Sequence, residues 1–326
     1  MVLRRVLLVL TMGLAGLAVA VWRSPRVGSA LIRWVFTRGG EHTVATLQPF
    51  VPPGVDGRRE LAYGPGPAER LDVWFPAGTD RPLPTVVWVH GGGWVAGSTA
   101  DVEPYAKIIA AEGYTVVAVD YALAPAARYP MPLRQVGAAL SWLTDHADEL
   151  RVDIDRLVLA GDSAGAQISA QLAIAITDPA YASRIGIDPT VAAPQLRGVI
   201  SHCGPQLPEL LEDAHGVEGW FIRTIGRAYF ATSSFDEPHV HDASVADQVG
   251  PAYPPTLVTG GNADPLTRQG KAFAERLAAA GVDVTALFWP DDYTPALQHE
   301  FQFDLRLEAA QETLAATRDF LARVMR

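Results

Sequence analysis

Short, continuously apolar runs rich in valine alternate along the chain with longer segments whose apolar positions recur every three or four residues. The short runs cover residues 85–89, 115–119, 157–160, 196–200, 256–258 and 284–288. Their lack of polar alternation predicts strands that are buried on both faces, as in a parallel sheet. The periodic segments, which predict helices, cover residues 133–143, 168–175, 273–277 and 307–321. This alternation predicts an α/β fold with a mostly parallel, doubly wound sheet.

Two stretches depart from this alternation. Residues 59–63 and 70–75 alternate polar and apolar positions, which predicts an antiparallel hairpin at the edge of the sheet. Residues 204–251 are rich in aromatic side chains and lack the strand pattern, so we expect an insertion there. Together with the N-terminal segment 24–57, this insertion is expected to form a helical cap on an α/β domain of residues 58–326.

Residues 1–23 form a separate leader. An uncharged run of 17 residues, 6–22, follows Arg4 and Arg5 and is closed by Arg23. At helical rise this run spans about 25 Å, close to the ~30 Å of a bilayer core. A retained transmembrane helix is therefore predicted, with membrane association; a cleaved signal peptide, which implies export, and a buried helix are the alternatives. Arginines on both flanks give no orientation in the membrane.

Composition and charge exclude several kinds of partner. Since 36 acidic residues outnumber 26 basic ones, the net charge is −10, which argues against binding to nucleic acid, because that needs a basic surface. The single cysteine, Cys203, excludes an intramolecular disulfide and a thiolate metal cluster. His239 and His241 have no clear third ligand nearby, so we expect surface residues there and no metal.

The clearest chemical motif follows the predicted strand 157–160. The sequence Gly161-Asp162-Ser163-Ala164-Gly165 leads from that strand into a predicted helix. A serine in a Gly-x-Ser-x-Gly turn between strand and helix is held at a sharp bend, with its hydroxyl exposed at the carboxyl edge of the sheet. The turn therefore predicts Ser163 as a nucleophile; a purely structural glycine-rich turn is the alternative.

A second glycine motif follows the predicted strand 85–89. The sequence His90-Gly91-Gly92-Gly93-Trp94 leaves backbone N–H groups free of side-chain obstruction, which suits an oxyanion that develops during attack on a carbonyl. A phosphate-binding loop is disfavoured, because no Lys-Ser/Thr pair follows and the Gly-x-Gly-x-x-Gly spacing is absent. A plain flexible loop is the remaining alternative.

A serine nucleophile needs an imidazole that takes its proton and a carboxylate that orients the imidazole. Among eight histidines, His299 fits best by position, because it follows the last predicted strand and a loop that can return over the sheet edge. Asp264 follows strand 256–258 at the same edge, so we favour it as the acid. Asp291 and Asp292, close before His299, are the alternatives.

Together, these motifs resemble the hormone-sensitive-lipase-like branch of the α/β-hydrolase esterases and lipases. The resemblance extends from about Leu71 to the C-terminus and rests on both glycine motifs, the Asp-Tyr-Ala-Leu-Ala-Pro segment 120–125, Asp264-Pro265-Leu266 and His299. The resemblance implies an α/β-hydrolase fold, with Ser163 as nucleophile, His299 as general base and Asp264 as orienting acid. It also implies an oxyanion hole formed by the N–H groups of Gly91, Gly92 and Ala164.

The same resemblance implies a serine carboxylic-ester hydrolase of the carboxylesterase or lipase type. Such an enzyme acts through an acyl-serine intermediate on small-molecule esters, here with short to medium acyl chains, and needs no cofactor. Amides, formamides and acetylated sugars are alternative substrates, because this chemistry does not specify the leaving group. A non-catalytic ligand-binding module is a further alternative, although such a module is expected to lack one of the three side chains.

Overall fold

The computed structural model describes residues 24–326, which contain one eight-stranded sheet. In chain order its strands are β1 (Val55–Ala62), β2 (Arg70–Pro76), β3 (Leu83–Val89), β4 (Thr115–Val119), β5 (Val152–Asp162), β6 (Leu196–His202), β7 (Thr256–Gly260) and β8 (Val284–Phe288). Their order across the sheet is β1-β2-β4-β3-β5-β6-β7-β8. Strands β3 to β8 are parallel, while β1 and β2 form an antiparallel hairpin at one edge. The predicted sheet and edge hairpin are confirmed.

The apolar runs mark the buried centres of the strands better than their ends. Strand β4 has the predicted bounds, whereas β5 begins at Val152, five residues before the predicted start. This first half of β5 is partly exposed and carries charged side chains, so hydropathy alone did not reveal it. Strand β8 also differs from the prediction of burial on both faces, because it lies at the sheet edge and is only half-buried.

Helices cover both faces of the sheet. They are α1 (Pro25–Leu47), α2 (Thr99–Ala110), α3 (Met131–Asp145), α4 (Ala147–Leu150), α5 (Ser163–Thr177), α6 (Pro179–Ile185), α7 (Gly216–Phe230), α8 (Pro238–Asp242), α9 (Val245–Gln248), α10 (Thr267–Ala279) and α11 (Glu308–Val324). Alternate residues of each central strand enter opposite cores. In β3, Val87 and Val89 join one cluster, and Val86 and Trp88 join the other. The sheet is therefore doubly wound, as its apolar strands predicted.

Helix α1 is attached to the α/β domain by a charged side chain. Arg33 donates hydrogen bonds to the carbonyl oxygens of Val95 and Ala124, at 2.6 and 2.8 Å. Helices α1 and α7 also touch, and the rings of Phe36 and Phe221 meet edge to face with centroids 5.1 Å apart. These contacts place the first helix beside the segment that follows the glycine loop.

The insertion expected at residues 204–251 contains helices α7, α8 and α9 and a 3-10 helix, Pro208–Asp213. The leader, by contrast, lies outside the described residues, so its transmembrane helix or signal peptide stays a prediction. In the described part of the chain, 24–326, no helix has both the length and the apolar character needed to cross a bilayer.

Candidate active site

Ser163 lies at the junction of β5 and α5, in a backbone conformation that only glycine adopts freely. Its φ of 49° is left-handed, a region that costs roughly 1–2 kcal/mol for other residues. The flanking positions must be glycine, because no room is left there for a side chain. A Cβ on Gly165 would lie 2.0 Å from the carbonyl oxygen of Val89, and one on Gly161 would lie 2.5 Å from the carbonyl carbon of Gly165. The turn is thus packed directly against the end of β3.

Three predicted site residues from distant parts of the chain form one hydrogen-bonded series. His299 Nε2 lies 2.9 Å from Ser163 Oγ, and His299 Nδ1 lies 3.0 Å from Asp264 Oδ2. The other oxygen of Asp264 accepts the N–H of Leu266 at 2.8 Å, and its side chain is fully buried. Both carboxylate oxygens therefore accept hydrogen bonds, which fixes the imidazole with its proton on Nδ1.

The alternative acids do not reach this series. Asp291 and Asp292 are exposed, and the nearest cation to Asp291 is Lys271, 4.0 Å away. Their place in the loop between β8 and His299 leaves them in solvent, while Asp264 projects from the end of β7.

The imidazole of His299 is held in a strongly polar environment. Burial works against its protonation, while the bonded Asp264 carboxylate favours it, and the pKa of His299 lies above its usual range. Burial also raises the pKa of the Cys203 thiol, which leaves that thiol neutral near pH 7. The Asp264 carboxylate is the charged group hydrogen-bonded to the imidazole.

The glycine loop is fixed by its first residue and by an aromatic side chain. His90 is buried and stacks on Tyr121 with ring centroids 4.4 Å apart. Its Nδ1 lies 2.8 Å from the carbonyl oxygen of Gly91, and the Tyr121 hydroxyl donates to the carbonyl oxygen of His90 at 3.0 Å. Burial lowers the pKa of His90 to about 4, so its ring is neutral and serves to hold the loop in place.

The direction of the Gly91 N–H corrects one predicted role. This group donates to Asp162 Oδ2 at 2.8 Å, so it is not available to an oxyanion. Within residues 24–326 the next two N–H groups, of Gly92 and Gly93, have no hydrogen-bond acceptor. The Ala164 N–H lies in the first turn of α5, where no intrahelical acceptor exists. The sequence alone does not show which of the three consecutive glycines has an N–H group that is free to bind an oxyanion.

A cleft opens over Ser163 and His299. The glycine loop forms one wall, and α1 contributes Phe36, Gly39, Gly40 and Thr43 to another. Asp101 and Glu300 also line it. The N-terminal segment therefore takes part in the walls of the site.

Sequence reasoning missed the surroundings of His299. Cys203 offers a sulfur that, with one donor atom each of Asp264 and His299, forms a group whose atoms lie within 4.8 Å of one another. These residues could hold a metal ion only by replacing the bond between Asp264 and His299, so the donor set fits a relay better than a resident metal. The single cysteine gave no signal of this position, because nothing in the sequence places it near His299.

The expected surface histidines have structural partners. His239 Nε2 lies 2.9 Å from the carbonyl oxygen of Phe230, and His241 Nε2 lies 2.8 Å from Asp236 Oδ1. One ring nitrogen of each histidine thus contacts a group within the insertion. Among the described residues, His241 belongs to no group of three possible metal ligands.

Several known proteins of similar sequence are named esterases. The chain is 32% identical to the esterase LipC of Mycobacterium tuberculosis over 233 residues, which cover 68% of this chain and 55% of LipC. It is 34% identical to carboxylesterase NlhH of the same organism, over 65% of each chain. The similarity to the esterase LipI covers 67% of this chain and 68% of LipI at 33% identity. The alignment thus spans between half and two thirds of the length of LipC and NlhH.

Similar solved structures cover nearly all of this chain. Esterase B of Lactobacillus rhamnosis superposes with a TM-score of 0.77 at 24% identity, over 90% of this chain and 94% of its own. An esterase of Pyrobaculum calidifontis superposes with a TM-score of 0.71 at 23% identity, over 91% and 94%. At these identities the likeness establishes the fold. The family model of the alpha/beta hydrolase fold matches residues 86–301, and the chain belongs to that family, in its hormone-sensitive-lipase-like branch.

Proposed function

We propose that this chain is a serine carboxylic-ester hydrolase that works through an acyl-Ser163 intermediate. The observation that carries the proposal is the unbroken hydrogen-bonded series from the Ser163 hydroxyl through His299 to Asp264, with links of 2.9 and 3.0 Å. Nucleophile, base and orienting acid need this order of contacts to cleave an ester. The relatives named esterase and carboxylesterase support the same class of reaction.

In the first half-reaction, Ser163 Oγ attacks the ester carbonyl carbon while its proton moves to His299 Nε2. Asp264 holds the Nδ1 proton and stabilises the imidazolium that forms. His299 Nε2 then gives its proton to the departing alcohol oxygen as the bond between acyl carbon and alcohol oxygen breaks. The product is an acyl ester on Ser163.

In the second half-reaction, a water molecule attacks the acyl carbon and transfers a proton to His299 Nε2. Collapse of the tetrahedral intermediate breaks the bond to Ser163 Oγ, which recovers the proton as the carboxylic acid leaves. Every proton moves between side chains of this chain, water and substrate, so the proposal requires no cofactor.

The oxyanion hole consists, in this proposal, of the N–H groups of Gly92, Gly93 and Ala164. The loop donors have no competing acceptor, and Ala164 lies at the positive end of helix α5. Loss of one such donor typically costs about 3 kcal/mol of transition-state stabilisation. Gly91 has a supporting role, because its N–H ties the loop to Asp162.

Side chains that pack on the glycine loop favour short to medium acyl groups. A Cβ on Gly93 would lie 2.7 Å from Ile225 Cδ1 and 3.2 Å from a ring carbon of Phe36. These side chains of α7 and α1 therefore press closely on the glycine loop and limit the room beside an acyl group bound there. Residues 24–57 and 204–251 accordingly act as the cap of the hydrolase domain 58–326.

Membrane association through residues 6–22 also belongs to the proposal. Its support is the uncharged run itself, flanked by arginines. Fractionation of cells that make the full chain, with an intact mass of the recovered protein, distinguishes a retained anchor from a cleaved leader.

Turnover of p-nitrophenyl butyrate tests the proposed activity. The wild-type protein is expected to hydrolyse this ester, and the Ser163→Ala variant is expected to lose at least about 10³-fold in kcat while keeping its far-UV circular dichroism and melting temperature. Similar turnover by the pure, folded variant contradicts the proposal. A parallel panel of butyramide and acetylated sugars gives the preference for the leaving group.

A further inference from the structure

A buried carboxyl group lies directly before the candidate nucleophile. The side chain of Asp162 is 2% exposed. Its Oδ1 accepts the indole N–H of Trp88 at 2.8 Å, and its Oδ2 accepts the N–H of Gly91 at 2.8 Å. Asp162 therefore joins the nucleophile turn to the glycine loop.

A second carboxyl group reaches the same place from the loop that carries His299. Glu300 has a left-handed φ of 61°, and its side chain enters the cleft over Ser163. A Cβ placed on Gly91 would lie 2.3 Å from Asp162 Oδ2 and 2.8 Å from Glu300 Oε1. The two carboxyl groups thus converge above Gly91.

Asp162 is buried, while the Glu300 side chain is 33% exposed at the cleft. Two carboxyl groups that converge in this way form a stable pair when one proton lies between them. In agreement with this, burial and then the charge of Glu300 raise the pKa of Asp162 well above its usual range. In such a pair the protonated carboxyl group donates a hydrogen bond to the ionised one. The N–H groups of Trp88 and Gly91 each donate a hydrogen bond to one oxygen of Asp162.

We propose that Asp162 and Glu300 share one proton and act as a positioning pair, which joins the glycine loop, the nucleophile turn and the His299 loop into one rigid unit. The proposal rests on the proposed ester hydrolysis, in which all three segments supply reacting groups. Glu300 is one residue from His299, and its Oε1 lies 3.9 Å from His299 Nε2. A shift of the Glu300 side chain therefore moves the base relative to Ser163.

The pair should give the enzyme an alkaline limit. The raised pKa keeps the shared proton bound at neutral pH, and the proton leaves only as pH rises through that raised value. Two adjacent carboxylates then repel each other, and the three segments separate. The other titratable groups that face the pair come from the surrounding loops and helices: His90, Asp101, Tyr105, Asp120, Tyr121, Cys203 and His299.

Two substitutions of Glu300 test the pair through the pH dependence of kcat for p-nitrophenyl butyrate, from about pH 6 to about pH 10. Glu300→Ala removes the link and should lower kcat by about 10- to 100-fold, because small displacements of reacting groups are costly. Glu300→Gln can donate an amide N–H to an ionised Asp162. The Glu300→Gln variant should therefore keep most of the wild-type kcat, and its kcat should not decline at alkaline pH as that of the wild type does.

The matched control is Glu312→Gln, the same substitution at an exposed position of α11. It should leave kcat and both limbs of the pH profile unchanged. Because Glu300→Gln leaves Cys203 and the tyrosines in place, a change confined to Glu300→Gln assigns the alkaline limb to the pair. The proposal is overturned if Glu300→Gln keeps the wild-type alkaline limb, or if Glu300→Ala keeps the wild-type kcat.

A readout without substrate separates failure of the pair from failure of the proposed activity. The infrared spectrum of the wild-type protein at neutral pH should contain the carbonyl stretch of buried protonated carboxyl groups, and this band should lose intensity in Glu300→Gln, although Asp120, whose pKa burial raises to about 7, still contributes to it. If Glu300→Gln changes the band as expected while the wild type hydrolyses no ester, the pair is supported and the proposed activity is refuted. If the band is the same in both proteins, the pair is refuted whatever the activity.

Discussion

The substitution Asp264→Asn changes the hydrogen bonding of the candidate site with almost no change in volume. Both oxygens of Asp264 are acceptors, one for the Leu266 N–H at 2.8 Å and one for His299 Nδ1 at 3.0 Å. An asparagine offers one acceptor and one donor at these positions. An asparagine therefore cannot accept both hydrogen bonds. The orientation that keeps the Leu266 bond points an amide N–H at Nδ1 and forces the imidazole proton onto Nε2.

With its proton on Nε2, His299 cannot accept the proton of Ser163. We expect kcat for p-nitrophenyl butyrate to fall by about 10³- to 10⁴-fold, which corresponds to roughly 4–5.5 kcal/mol of lost transition-state stabilisation. Since the carboxylate that raises the pKa of His299 is gone, the acid limb of the residual activity should also move to lower pH.

The control is Asp291→Asn, the same change at a side chain that is 96% exposed and that the sequence offered as an alternative acid. It should keep wild-type kcat and the wild-type acid limb. A loss of less than about tenfold in folded Asp264→Asn, or an equal loss in Asp291→Asn, refutes the assignment of Asp264.

Three further outcomes follow from the structure. In the wild type, kcat/KM should fall as pH drops through the raised pKa of His299, with the midpoint above about 6.5; a constant rate across that range contradicts its role as base. Gly165→Ala should lower the free energy of unfolding by about 3 kcal/mol or prevent folding, since its Cβ would lie 2.0 Å from the carbonyl oxygen of Val89. Gly39→Ala, where nothing lies within 4 Å, should instead raise that free energy by about 1 kcal/mol in the helix; equal melting temperatures of the two variants contradict the packing. Ile225→Ala should move the optimum of a p-nitrophenyl ester series to longer acyl chains, and an unchanged optimum contradicts the proposed acyl wall.

The fold and the nucleophile turn were predictable because their signals are local. Continuous apolar runs of valine identify central parallel strands, since burial on both faces leaves no polar positions. A serine between two glycines, directly after such a strand, needs only neighbouring residues to be recognised. His299 and Asp264 required one more step, the rule that strand ends of a parallel sheet meet at one edge.

The partners of individual polar groups were not predictable, because they depend on segments far apart in sequence. Gly91 and Gly92 cannot be told apart in the sequence, yet the N–H of Gly91 donates a hydrogen bond to Asp162, 71 residues later. Asp162 and Glu300, which converge above Gly91, are separated even further in the sequence, and no local pattern indicates that they meet. The charged first half of β5 was missed for a different reason, since pairing with β3 rather than hydropathy makes it a strand.

Intact mass spectrometry after reaction with a p-nitrophenyl phosphonate tests whether Ser163 forms a covalent intermediate. One phosphonyl group per protein molecule is expected, located by peptide mapping on Ser163, with no adduct on Ser163→Ala. A folded wild-type protein that takes up no phosphonate, or takes it up on another residue, rules out Ser163 as the nucleophile.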